Sequence, residues 1–200
     1  MAGPLSAPGA RAAFVVSLLM STVGISGLGF GYSVIQHGVP LYTEDEIARF
    51  TPEERAPVEE LQQTLRDDPR IPAVAIGDLL ASALLVAASF LLTARSSSAI
   101  WLGRQALLAN VLYTVAVLLV ALWFVQDHRA LCDEALLAIG RVRNQAHGLP
   151  PPTEGSSPNA LIAMSSVGCY SSVLLCIYAA LLWALSRPGV RGFVNPEKVR

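Results

Sequence analysis

The chain has 200 residues and a formal net charge of −1, with 53% of residues hydrophobic and only 14% charged, and a mean hydropathy of +0.50. Soluble domains carry about 25% charged residues, so charge is scarce here, and the near-neutral balance excludes the basic footprint of a nucleic-acid binder. The scarcity is local: stretches 12–36, 71–94, 105–126 and 160–186 together hold one charged residue, Asp78.

Each stretch is long enough, at about 1.5 Å per residue, to cross a hydrocarbon core of roughly 30 Å as a helix. The pattern predicts an all-α integral membrane protein, a single four-span domain over 1–200. The spans fall at about 12–36, 71–94, 104–126 and 159–186, with outer helical loops at 37–70 and 127–158. A four-helix bundle in contact with the lipid bilayer is the expected architecture.

The first apolar run continues to Val34 and Ile35, beyond the roughly 7–15 apolar residues of a signal peptide, so a retained helix is expected. Within it, Ala10, Ser17, Gly24 and Gly31 recur every seven residues, with Ser21 on the same face, and Gly27 pairs with Gly31 as G-x-x-x-G. Membrane helices associate through small residues of this kind. A phosphate-cradling reading fails, because Gly27-x-Gly29 lacks the third glycine of G-x-G-x-x-G and no strand precedes it.

In the loop that follows, Thr43 with Glu46 and Thr51-Pro52-Glu53-Glu54 both read as helix starts. Val58, Leu61 and Leu65 then recur at helical spacing, and Pro57 predicts a kink or restart. The second span places Asp78, Ser82, Ser89 and Thr93 along one stripe. Asp78 is a functional candidate, because a carboxylate in a span costs about 2.5–3.5 kcal/mol on insertion scales. Its other reading is a tolerated interfacial carboxylate, or one bonded to Asn110 or a nearby serine.

The third span carries Asn110 and Thr114, and Leu131, Ala135, Ala138 and Val142 keep helical spacing beyond it. The span is therefore expected to continue outward as a helix to about His147-Gly148, then return through 149–158 to a fourth span. This outer helix and the first-loop helix each show one apolar face, and should pack together or lie on the membrane. In the fourth span Ser165, Cys169, Ser172, Cys176 and Ala179 alternate at four- and three-residue steps, a further expected packing seam.

Orientation follows from the bases that flank the spans. The tails and the link between the second and third spans hold seven bases and one acid, whereas the longer outer segments hold seven bases and thirteen acids. Both termini are thus expected in the cytoplasm. Lysine is nearly absent among the bases, a bias typical of GC-rich bacterial genomes, which suggests a multi-pass protein of a bacterial inner membrane.

The three cysteines include no C-x-x-C pair, which argues against a disulfide framework or thiol oxidoreductase, although Cys132 could bridge to a partner chain. His37, His128 and Cys132 are candidate ligands for zinc or copper near the outer surface. No G-x-S-x-G, H-E-x-x-H or P-loop occurs, and no cofactor is expected. The first expectation is a non-enzymatic accessory or scaffolding subunit, assembled as a homo-oligomer or with a membrane-protein partner. The alternative is an oligomeric transporter or channel protomer using Asp78, with Ser82 and Ser89 lining the path; a metal-binding membrane protein comes third.

Overall fold

A computed structural model describes residues 9–39, 41–150 and 159–194, without the side chains of 159–166. Among these residues the fold is entirely helical. In chain order the helices are α1 (Ala10–His37), α2 (Glu44–Ile47), α3 (Pro52–Asp67), α4 (Arg70–Thr93), α5 (Ala99–Asp127), α6 (Arg129–Ala146), α7 (Asn159–Ser186) and α8 (Pro188–Val194). Four helices are long and apolar enough to span a membrane: α1, α4, α5 and the described part of α7. The protein is therefore a multi-pass membrane protein whose apolar helices meet the lipid bilayer.

The helix ends show how local sequence sets these lengths. Thr43 and Thr51 each begin a helix as expected, their backbone N–H groups donating to Glu46 Oε2 at 2.7 Å and Glu54 Oε2 at 3.0 Å. At the end of α4 the Ser96 N–H donates to the Leu91 carbonyl and the Arg95 N–H to that of Leu92, closing a Schellman motif. Arg95 occupies its left-handed position at φ 54°, where glycine is usual. Its guanidinium lies 4.2 Å from the centre of the Phe193 ring. This tight turn lets α5 begin at Ala99 rather than at the expected 104.

Two details differ from expectation. Pro57 does not restart the helix, since α3 runs from Pro52 to Asp67 with Pro57 inside it. The bond it forgoes would have used the carbonyl of Glu53, an exposed residue in the first turn of the helix. The outward extension of the third span is helical to Ala146 but interrupted at His128 (φ −121°, ψ 35°). The ladder resumes at once, with the His128 N–H on the Phe124 carbonyl and the Cys132 N–H on the His128 carbonyl. Gly148, at φ 66°, terminates α6 close to where the sequence predicts.

The helices gather into two compact units. The first comprises the described residues of Met1–Tyr32, Val74–Val115 and Ser172–Arg200. Its core draws Met20 from α1, Leu85 from α4, Leu107 from α5 and Leu185 from α7, all fully buried, together with Val190 and Val194 of α8. The second comprises the described residues of Ser33–Ala73 and Ala116–Ser171. Here Val58 and Leu61 of α3 pack with Cys132, Ala135, Ala138, Ile139 and Val142 of α6, joined by Phe50 and Phe124. The two amphipathic outer helices thus bury their apolar faces against each other, the first of the two arrangements expected for them.

Candidate functional site

The glycine face of α1 meets the polar stripe of α4 at very short range. A Cβ on Gly24 would lie 2.9 Å from the Ser82 carbonyl oxygen, and one on Gly31 would lie 3.0 Å from that of Ala75. A Cβ on Gly27 would collide with Ser82 Oγ and sit 3.3 Å from Asp78 Oδ1. Gly29, by contrast, has nothing within 4 Å of such an atom. Bare backbone at Gly24, Gly27 and Gly31 is what lets α4 seat its polar groups against α1. Farther along the pair, Ser17 Oγ donates to the Ser89 carbonyl at 3.0 Å, and the Ser21 and Ser89 hydroxyls lie 2.7 Å apart.

Asp78 is half-buried at this seam, and Ser82 Oγ donates to its Oδ1 across 3.5 Å. It stands eight residues into α4, roughly 12 Å from the start of the helix. The candidate residues Asp78 and Ser82 are therefore neighbours, while Asn110 takes no part in their hydrogen bonding. Asn110 is buried, and its Nδ2 donates to the Ala81 carbonyl of α4 at 2.9 Å and to the Ala106 carbonyl of its own helix at 2.8 Å. The Tyr178 hydroxyl of α7 donates to Asn110 Oδ1 at 3.4 Å. Asn110 thus links three membrane helices. Replacing it with leucine is expected to destabilise the protein by about 1 kcal/mol, within the range measured for interhelical bonds in membranes. Reversible unfolding in mixed detergent micelles checks this, and an unchanged midpoint would contradict it.

The fourth span packs differently from the expected seam. Among its described side chains Ser171, Tyr178, Leu181 and Leu185 are buried, whereas Cys169, Ser172, Cys176 and Ala179 are exposed. Ser165 lies among the residues whose side chains fall outside the described set. Within the chain the larger Tyr178, Leu181 and Leu185 fill the core with α1, α4 and α5, and the small stripe faces away from it.

At the start of α4 a charged network escaped the sequence reading. The Arg70 guanidinium donates to both Asp68 oxygens at 2.7–3.0 Å and to Asp127 Oδ2 at 3.4 Å, and it lies 5.0 Å from the centre of a Trp123 ring. Asp68 Oδ1 also accepts the Arg70 backbone N–H at 2.8 Å, securing the first turn of the helix. The Arg70 guanidinium holds the Asp68 carboxyl below its ordinary range. The signal available in the sequence was an Asp one residue before a Pro-Arg helix start.

Among the described residues, no group of three His, Cys, Asp or Glu side chains converges to hold a metal ion. His37 lines a groove with Tyr42 and α3. His128 stands at the break between α5 and α6, its ring 4.8 Å from that of Phe124. Cys132 is buried in the α3–α6 core, where desolvation pushes its thiol up and favours the neutral form over the thiolate that binds metal. The three residues are not brought together as a ligand set. Comparison of the chain with protein-family models, curated proteins and solved structures finds no match in any of the three.

Proposed function

We propose that the chain is a non-enzymatic accessory or scaffolding subunit, working through its membrane helices and its outer helical pair. The observation that carries this reading is the use made of polar groups in the spans. Ser17 bonds the Ser89 carbonyl and Ser21 the Ser89 hydroxyl, Asn110 bonds Ala81 and Tyr178, and Tyr113 bonds the Val74 carbonyl. Polar atoms engaged helix to helix hold a fixed shape and are not free to escort a solute. In this reading a second copy or another membrane protein is the partner, both termini are cytoplasmic, and the membrane is a bacterial inner membrane.

The half-buried carboxylate of Asp78 favours a second reading, an oligomeric transporter or channel protomer. Flux of protons and monovalent cations into liposomes separates the two. The scaffolding role predicts that wild-type protein and Asp78→Asn both match protein-free vesicles, with equal yields of folded protein. A wild-type flux that Asp78→Asn abolishes would overturn it in favour of transport.

A further inference from the structure

Where α1 ends, the second unit carries a groove of about 580 Å³, within the roughly 300–1,000 Å³ usual for small-ligand sites. Its walls are built. Gly38, at φ 77°, turns the chain out of α1, with its N–H on the Val34 carbonyl at 2.9 Å. Gln62 Nε2 then ties the following segment to α3 by donating to the Val39 carbonyl at 2.8 Å. Tyr42 is braced edge-on against Phe50, with ring centres 6.0 Å apart.

The charged lining comes from one face of α3, where Glu59, Gln63, Arg66 and Asp67 follow one another by four, three and one residues. Arg66, Glu59 and Asp67 make no ion pair or side-chain hydrogen bond among the described residues, unlike Arg70 and Arg143 of the same unit. His37, the last residue of α1, adds an imidazole to the rim. One guanidinium with an imidazole suits a phosphate; two carboxylates beside them suit a cation that can donate hydrogen bonds.

We propose that this groove holds the phosphoethanolamine headgroup of a membrane lipid. The phosphate lies toward Arg66 and His37, and the primary ammonium toward Glu59 and Asp67. His37 is the last residue of a helix long and apolar enough to span a membrane, and the residues at the end of such a span meet lipid headgroups. The two carboxylates disfavour a purely anionic headgroup, and a trimethylammonium group would have no N–H to offer them. This assignment is independent of the scaffolding role, since a transporter would carry the groove equally well.

Native mass spectrometry of delipidated protein, offered equimolar phosphatidylethanolamine, phosphatidylcholine and phosphatidylglycerol, tests the proposal. Phosphatidylethanolamine adducts should exceed either competitor by about tenfold, and Arg66→Gln and Glu59→Gln should each reduce them about tenfold. Glu44→Gln, on an exposed carboxylate outside the groove, should leave them unchanged. Equal retention of the three lipids, preference for phosphatidylglycerol, or adducts indifferent to both groove variants would overturn it. Displacement of the lipid by equimolar soluble phosphoethanolamine would overturn the lipid source. The wild-type comparison among lipids stands even if a variant folds poorly.

Discussion

Replacing Gly27 with leucine is expected to destabilise the protein by about 2–3 kcal/mol, the upper part of the range for overpacking a well-filled interior. The first added carbon already collides with Ser82 Oγ, and it lies 3.1 Å from Ser82 Cβ and 3.3 Å from Asp78 Oδ1, so the rest of the side chain meets the Ser82 and Asp78 side chains. The Ser82 hydroxyl can turn aside, at the loss of its bond to Asp78, and the larger leucine carbons then press α1 and α4 apart. Separation weakens the bonds from Ser17 and Ser21 to Ser89, which lie on the same pair of helices. Gly29→Leu is the matched control, because nothing approaches within 4 Å of a Cβ there; its effect should stay within about 0.5 kcal/mol. Unfolding in mixed detergent micelles compares the two variants, and equal shifts would contradict close packing at this seam. The same geometry means that Gly24→Leu or Gly31→Leu probes the fold of a single chain, not its attachment to a partner.

The second large effect is expected at Asp68. Its side chain is only 5% exposed and accepts from both the backbone and the guanidinium of Arg70. Asp68→Ala removes a helix-start bond and a charge-assisted pair together, a loss of about 2 kcal/mol. The pH dependence has a defined sign. Asp68 is held below its ordinary 3.8 by Arg70, and Glu46 below its ordinary 4.5 by the hydrogen bond from Arg143 Nε at 2.6 Å. A lowered carboxyl contributes stability that is complete above its unfolded value and is lost as pH falls through its lower folded value. Wild-type melting temperature should therefore hold from neutrality to about pH 5 and fall below it. Asp68→Ala should start lower and decline less steeply. Parallel curves for the two proteins would contradict the linkage.

How far the sequence foretold this fold depended on which physical signal each feature leaves. The four spans and the paired amphipathic helices α3 and α6 were legible, because apolar length and 3.6-residue periodicity report burial directly. The α1 glycine face was legible for a similar reason: a seven-residue recurrence of small residues leaves few uses but close approach. The face of α7 was not, since its small-residue stripe is periodic but Tyr178, Leu181 and Leu185, on another face, are what the core buries. The partners of Asn110 were not legible: it bonds the Ala81 carbonyl of α4 and the Tyr178 hydroxyl of α7. Backbone acceptors are identical along every helix and leave no mark in the residue pattern. His128 and Cys132, four residues apart, would share one face of an unbroken helix. The break at His128 and the burial of Cys132 against α3 depend on tertiary packing that spacing alone does not encode.

The scaffolding role rests most directly on whether the protein assembles. Native mass spectrometry of the protein released from its own membrane at limiting detergent measures this for the intact chain. The proposed role predicts an assembly heavier than one 21.2 kDa chain, either a homo-oligomer or a complex of fixed stoichiometry, preserved in Asp78→Asn. A strictly monomeric 21.2 kDa species, unchanged as protein concentration rises, would contradict it.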